Sequence, residues 1–197
     1  MGYEGVKFKT VMLGKEAPDD PRIKELAHWC GESHRNGFAP SYDGGSYGNL
    51  SFRIKGGSSE FIITGSKIGL KNKLGPESFV KVTSVDMDKR VVYACGAKEP
   101  SSESMLHYAI YERRKNVNVI FHGHSEQMLC SAARAGFPET EKEEPYGTVG
   151  LVRSLLDISD KGDFLIMKGH GFIAMAVNME EAWLRVIEAR NKCRTTK

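Results

Sequence analysis

The stretch Val119-Ile120-Phe121-His122-Gly123-His124-Ser125 joins an apolar run to two histidines that are separated by one residue. The apolar run predicts a strand over residues 117–122, and the sequence that follows predicts a helix over residues 126–135. Alternate residues of a strand point to the same face, so both imidazole rings can reach one ion. The alternative interpretation is a pair of strand histidines that bind nothing.

A third histidine follows another apolar run, because His170 lies just after a strand predicted over residues 164–167. The chain has 6 histidines, and three of them occupy such positions, which favours one shared ion over three unrelated residues. Three neutral imidazoles leave a divalent metal with an open coordination position, and a catalytic site needs one. Imidazole suits several first-row metals, so these residues predict a metal ion without identifying it.

The rest of the chain reads as a mixture of hairpins and helices. Further strands are predicted over residues 49–55, 60–64, 79–86, 90–95 and 172–176, and further helices over residues 22–35, 100–116, 148–158 and from Asn178 onward. Asp20-Pro21 is the start signal of the first helix, and Asn178 with Glu181 forms a capping box for the last. This mixture predicts a three-layer α/β/α sandwich with a central, mainly antiparallel sheet.

Composition narrows the class of protein. The 197 residues are 40% hydrophobic and 27% charged, which suits one globular domain over residues 1–197. The net charge of +3 is small and scattered, so no nucleic acid partner is expected. No apolar run is long enough to cross a bilayer, and no signal peptide is evident. Four widely spaced cysteines suit reduced thiols and a cytoplasmic location: Cys30, Cys95, Cys130 and Cys193.

Glu103 is the candidate acid/base residue. It follows two serines at the first turn of a predicted helix, where a carboxylate is also favoured simply by the helix dipole. A carboxylate that lies near a metal without ligating it is suited to moving a proton at carbon, which is the functional alternative. His107, one turn further on, is expected on the helix face or behind the ligands rather than as a fourth ligand.

Three turns built from small residues form a second group of candidates. Each lies at a strand end or a helix start, where backbone N–H groups and hydroxyls can converge on an anion. The same residues are also ordinary turn formers, so each turn alone is a weak signal. Lys67 is either a further anion contact or a solvated surface lysine. The turns are Gly48-Asn49, Thr64-Gly65-Ser66 and Ser101-Ser102.

In chain order, five motifs resemble the class II aldolase/adducin head family over about residues 22–190: Gly48-Asn49-Leu50-Ser51-Phe52-Arg53, Ile63-Thr64-Gly65-Ser66, Pro100-Ser101-Ser102-Glu103 with His107, His122-Gly123-His124 and Gly169-His170-Gly171. The resemblance implies a mainly antiparallel sheet covered by helices, in a homotetramer with active sites at subunit interfaces. The family's aldolases, among them those for fuculose 1-phosphate, carry zinc on three histidines, which correspond to His122, His124 and His170. Their acid/base glutamate corresponds to Glu103. Their phosphate-binding segments correspond to Gly48, Asn49, Thr64, Gly65, Ser101 and Ser102.

The resemblance implies a metal-dependent retro-aldol cleavage of a phosphorylated ketose into dihydroxyacetone phosphate and an aldehyde. Three departures affect the expected substrate. Gly65-Ser66-Lys67 stands where the family commonly has Pro-Ser-Gly or Pro-Thr-Gly. Residues 136–146 form a short, glutamate-rich connection, of which residues 138–145 are expected to be a mobile loop and Tyr146 is the one candidate for an aromatic contact. The chain also ends soon after its last helix, without the tail that closes the fuculose phosphate site.

Other members of the family keep the same metal site for other reactions. Pentulose-phosphate 4-epimerases, methylthioribulose-phosphate dehydratases and decarboxylases therefore stay open as alternatives. A non-catalytic scaffold of the adducin type is the alternative from a different class. The joint presence of three histidines and Glu103 favours an enzyme, because a scaffold has no need of them.

Overall fold

A central sheet of eight strands organises residues 7–195, the part of the chain that the computed structural model describes. The strands in chain order are β1 (Lys9–Gly14), β2 (Ser41–Tyr42), β3 (Gly45–Ser46), β4 (Asn49–Arg53), β5 (Phe61–Thr64), β6 (Phe79–Asp86), β7 (Val91–Cys95), β8 (Val119–Gly123), β9 (Phe164–Met167) and β10 (Gly171–Ala176). The helices are α1 (Ile23–Arg35), α2 (Ser104–Arg113), α3 (Glu126–Ser131), α4 (Val149–Leu156) and α5 (Met179–Thr195). A 3₁₀ turn covers Pro76–Ser78.

The strand order in the sheet is β1-β7-β6-β5-β4-β8-β10-β9, while β2 and β3 form a separate small hairpin. Every pair in the large sheet is antiparallel except β1 and β7, which are parallel. The prediction of a mainly antiparallel sheet is therefore confirmed. The sequence did not reveal β1, because this edge strand is only partly buried and lacks a regular apolar alternation.

Two apolar cores cover the two faces of the sheet. Phe121 belongs to the core beneath α1, α3 and α5, and its neighbour Ile120 belongs to the core beneath α2 and α4. Successive residues of a strand point to opposite faces, so both faces of β8 are buried and its sequence is continuously apolar. The helices thus form a layer on each side, which confirms the three-layer sandwich.

The ends of several elements differ from the predicted ones by a few residues. The first helix begins after Arg22, and Asp20 does not cap it but accepts a hydrogen bond from the Arg22 amide at 3.0 Å. The α5 cap is close to prediction: Asn178 Oδ1 accepts from the Glu181 amide at 2.8 Å. Glu181 reaches back to the amide of Val177, one residue before the one expected, at 3.3 Å.

None of the helices within residues 7–195 has the length and apolar composition needed to span a membrane. The four cysteines are free thiols, of which Cys30 and Cys193 are buried and Cys130 is exposed. The glutamate-rich connection is attached to the sheet in its first half. Thr140 is buried there, and its amide donates to the carbonyl of Ile166 on β9 at 3.0 Å.

Candidate metal centre

The strand register brings the candidate residues to one end of the sheet. Asn49, the first residue of β4, pairs directly with His122 of β8. On the other side of β8, β10 pairs in register with it, and His170 immediately precedes β10. The three histidines therefore lie close together, because the start of β4, the end of β8 and the start of β10 meet at this edge of the sheet.

Three histidines form a cluster at this point. The ligand-capable atoms of His122, His124 and His170 all lie within 4.8 Å of one another, and the Nε2 atoms of His122 and His124 are 3.1 Å apart. His122 Nδ1 lies 2.9 Å from the carbonyl oxygen of Phe172. A carbonyl only accepts, so Nδ1 donates to it, and Nε2 is left as the atom that would ligate a metal. This donor set fits a divalent metal ion.

His124 is held by two contacts outside the cluster. Its backbone amide donates to the carbonyl of Phe38 at 2.9 Å, and the Tyr47 ring packs against the imidazole with 4.8 Å between centroids. Burial, together with repulsion from the other two histidines, holds the pKa of His124 well below its usual range. The ring is therefore neutral, which is the form that binds a metal.

Glu103 lies directly against the histidine cluster. Its Oε2 is 2.9 Å from His122 Nε2, its Oε1 is 2.9 Å from His170 Nε2, and Asn49 Nδ2 donates to Oε2 at 2.8 Å. The residue immediately precedes α2, but its side chain makes no capping hydrogen bond to any described residue. Burial raises the pKa of Glu103, and attraction to His122 and His170 outweighs it, so the pKa falls well below its ordinary value.

His107 lies in the core behind Glu103, outside the cluster of three. Its Nδ1 is 2.7 Å from Ser51 Oγ, which in turn lies 2.8 Å from the hydroxyl of Tyr111. Burial lowers the pKa of His107 to about 3, so the ring is neutral. These buried hydrogen bonds connect β4 with α2, the helix that Glu103 immediately precedes.

The small-residue turns line a cavity of about 850 Å³ beside the histidines. A bridge between Gly65 and Pro100, and a hydrogen bond of 3.1 Å from the Ser101 amide to the Thr64 carbonyl, join two of the turns. Of the predicted phosphate contacts, all but one line the cavity: Gly48, Asn49, Gly65, Ser101 and Ser102. Thr64 is buried beneath them, and its Oγ1 has no hydrogen-bond partner within residues 7–195.

Some lining residues, among them Lys71, Glu143 and Glu144, were not candidates from the sequence, whereas Lys67 and Tyr146 were. Lys71 lies in a polar stretch that predicts a surface position, yet it is only 1% exposed. Glu143, from the glutamate-rich connection, packs at Gly169 beside His170, and Glu144 and Tyr146 line the same cavity. Lys67 lines the cavity and has a left-handed backbone, φ +53°. The sequence indicates this position through its departure from the glycine that the family commonly has there.

The chain is similar to known proteins over most of its length. The model of the family described as Class II Aldolase and Adducin N-terminal domain matches residues 24–196. The L-fuculose phosphate aldolase of Methanocaldococcus jannaschii is 27% identical over 160 residues, covering 72% of this chain and 79% of that protein. The methylthioribulose-1-phosphate dehydratase of Leptospira interrogans is 31% identical over 129 residues, covering 63% of this chain and 45% of that protein. A solved structure of L-fuculose 1-phosphate aldolase shares the fold, with a TM-score of 0.71 and 21% identity, over 90% of this chain and 85% of the other.

Proposed function

The chain belongs to the family of class II aldolase and adducin N-terminal domains, and from this membership we propose that it is a metal-dependent aldolase. It would cleave a phosphorylated ketose into dihydroxyacetone phosphate and an aldehyde. One observation carries the proposal: a buried carboxylate, Glu103, touches two of three clustered histidines at the wall of a cavity that small-residue turns also line. That combination provides a Lewis-acid site, an acid/base group and an anion site together.

His122, His124 and His170 are the proposed metal ligands, and zinc is the proposed ion, with another first-row divalent metal as the alternative. A divalent metal held there supplies stabilisation of the negative charge that develops on the ketose oxygens when the carbon–carbon bond breaks. The hydrogen bond from His122 Nδ1 to Phe172 orients that ring for this role.

Glu103 is proposed to move the proton at the carbon from which the aldehyde departs. The Nε2 atoms of His122 and His170 cannot serve a metal and the carboxylate at once, so Glu103 would be free of both contacts in a protein whose histidines held a metal. Asn49 then remains as the hydrogen-bond donor that holds the carboxylate. General acid/base groups of this kind contribute about 10² to 10⁴ in rate.

The substrate phosphate is proposed to lie against the turns that line the cavity, at Gly48, Asn49, Gly65, Ser101 and Ser102, with Thr64 behind them. Backbone N–H groups and small hydroxyls at such turns suit a dianionic ester. Because no bulky side chain stands on these turns, the phosphate can approach the backbone closely.

Dehydration of a methylthioribulose phosphate is the second candidate, because two relatives carry the name of that dehydratase. The cavity wall beside His170 favours a substrate with hydroxyl groups at that end over a methylthio sugar. A Cβ built on Gly169 would lie 2.5 Å from Glu143 Oε2, so this carboxylate packs directly beside the histidine. Carboxylates accept hydrogen bonds from sugar hydroxyls, whereas an apolar methylthio group would leave them desolvated and unpaired.

Assembly, location and domain extent are also proposals. A homotetramer with active sites at subunit interfaces follows from the family resemblance, and the free cysteines are compatible with a cytoplasmic protein. We also propose one domain over residues 1–197, which the family match over residues 24–196 supports.

The test is a panel of ketose 1-phosphates and pentulose 5-phosphates incubated with the metal-loaded protein. Aldehyde release with dihydroxyacetone phosphate is expected, whereas epimer formation or water loss would assign one of the other reactions. Glu103→Gln should abolish turnover, and Glu188→Gln, an exposed carboxylate of α5, serves as the matched control. Metal analysis of the purified protein belongs to the same experiment, because substoichiometric metal together with no turnover would indicate a scaffold.

A further inference from the structure

Lys71 is a charged side chain enclosed in the protein beside the candidate site. It is 1% exposed, although Leu70, Asn72 and Lys73 around it are all exposed. A buried ammonium persists in a fold only where hydrogen bonds or opposite charges compensate its lost hydration. The partners of Lys71 therefore indicate what the charge is retained for.

Within residues 7–195, all of the hydrogen bonds that Lys71 donates go to one turn of the backbone. Its Nζ lies 2.6 Å from the carbonyl oxygen of Tyr47, 2.5 Å from that of Gly48 and 3.4 Å from that of Ser46. An ammonium has three donors and these carbonyls use all three. The turn is tied back to the same segment, because Ser46 Oγ donates to the Gly69 carbonyl at 2.9 Å.

The same turn carries two side chains that touch the candidate site. The Tyr47 ring packs on His124, with 4.8 Å between centroids, and Asn49 donates to Glu103 at 2.8 Å. Any displacement of the turn therefore moves a contact of a proposed metal ligand and a contact of the proposed base at the same time.

We propose that Lys71 is a positioning residue, whose ammonium fixes the backbone of residues 46–48 so that Asn49 and Tyr47 hold Glu103 and His124 in place. The assignment of Glu103 and His124 rests on the proposed function. The hold on the turn rests on the geometry alone. Lys71 acts through the turn and is not itself a group that touches the substrate.

The three hydrogen bonds from Lys71 to the turn depend on the charged form of its side chain. Burial lowers the pKa of Lys71 to about 8, against the opposing attraction of the Glu103 carboxylate. The titratable groups that face it are Cys30 of α1, Glu103 before α2 and His124 after β8. Burial raises the pKa of Cys30 to about 12, so that group remains a thiol. A neutral amine has only two N–H donors for three carbonyls, so deprotonation loosens the turn.

The first experiment compares turnover of Lys71→Met, Lys71→Arg and Lys73→Met, the last being an exposed lysine two residues away. At neutral pH, Lys71→Met should lose about 100-fold in kcat, the usual effect of a small misplacement of catalytic groups, while Lys73→Met stays at the wild-type value. Wild-type kcat should fall above pH about 8, and Lys71→Arg, which keeps its charge, should lack that fall. Equal kcat in Lys71→Met and Lys73→Met would overturn the proposal.

The second experiment needs no turnover, and its main comparison uses the wild-type protein. The visible spectrum of the cobalt-loaded wild-type protein reports the geometry around the histidines, and it should change between about pH 7 and about pH 10, across the titration of Lys71. Lys71→Arg should show no such change, and an unchanged wild-type spectrum would overturn the proposal. A pH-dependent cobalt spectrum in a protein that cleaves no ketose phosphate would refute the proposed function while leaving the role of Lys71 intact.

Discussion

Gly48→Ala should damage both the stability and the activity of the protein, for two reasons that the structure separates. Gly48 has a left-handed backbone, φ +74°, and an added Cβ would lie 2.8 Å from the carbonyl oxygen of His122 and 3.3 Å from that of Phe38. The left-handed conformation costs an alanine about 1 to 2 kcal/mol. The contact with the His122 carbonyl lies between two backbone segments that cannot rotate away, and overpacking of this kind costs about 1 to 3 kcal/mol more.

Gly44→Ala is the matched control for the first of these two terms. Gly44 has φ +83°, in the hairpin of β2 and β3, and a Cβ there meets no atom within 4 Å. Urea unfolding of the metal-free proteins should therefore give a free energy of unfolding lower by about 1 to 2 kcal/mol for Gly44→Ala and by about 2 to 5 kcal/mol for Gly48→Ala.

The activity of the two variants should differ even more. The overlap at Gly48 pushes β4 away from β8 at the pair of Asn49 and His122, where the hydrogen bond to Glu103 originates. Displacements of about 1 Å cost on the order of 100-fold in rate, so Gly48→Ala should lose turnover while Gly44→Ala retains it. Equal unfolding free energies and equal turnover in the two variants would refute the reasoning.

Three further outcomes are expected. Glu103→Gln should keep the metal and lose a factor of about 10² to 10⁴ in turnover, whereas His122→Ala should lose both the metal and turnover. Metal analysis and cleavage rates of the two variants test this. Full turnover in Glu103→Gln would exclude Glu103 as the base. The unfolding free energy of the wild type, minus that of Lys71→Met, should rise by about 3 kcal/mol between about pH 8 and about pH 10.5. The reason is that the folded wild type binds fewer protons than the unfolded wild type over this range. A difference that does not change with pH would contradict this. Arg53→Met should destabilise the fold by about 3 kcal/mol in chemical denaturation, because the buried guanidinium donates to the carbonyls of Val117 and Tyr111 at 2.9 Å each, and an unchanged midpoint would contradict it.

Local patterns were enough to predict much of this arrangement. The apolar runs of β6 and β9 give their exact bounds, and the His-x-His spacing on β8 predicts two rings on one side. Such features depend on strand periodicity and on residues that are neighbours in sequence. The motif around Glu103 adds its position before a helix, which the structure also has.

The features that were missed depend on contacts between distant segments. A lysine among exposed polar residues is expected at the surface, and only the carbonyls of residues 46–48, more than twenty residues away, account for the burial of Lys71. The edge strand β1 is only partly buried and has no apolar alternation, and its pairing with β7, about eighty residues away in sequence, cannot be inferred from a local pattern. The wall formed by Glu143 and Glu144 likewise follows from the attachment of the preceding residues to β9.

Two of the three lysines that line the cavity belong to the segment beside the small-residue turns, and we infer from this how a substrate would be oriented. Lys67 and Lys71 belong to the segment beside the small-residue turns, whereas Glu143 packs at Gly169 beside His170. A dianionic phosphate is attracted to the lysines and repelled by the glutamate, so the phosphate end lies at the turns. The aldehyde end then faces Glu143, with the bond to be broken between them, near Glu103. Glu143→Lys should therefore weaken discrimination between the two orientations, seen as a raised KM for the preferred ketose 1-phosphate, and an unchanged KM would show that the turns alone orient the substrate.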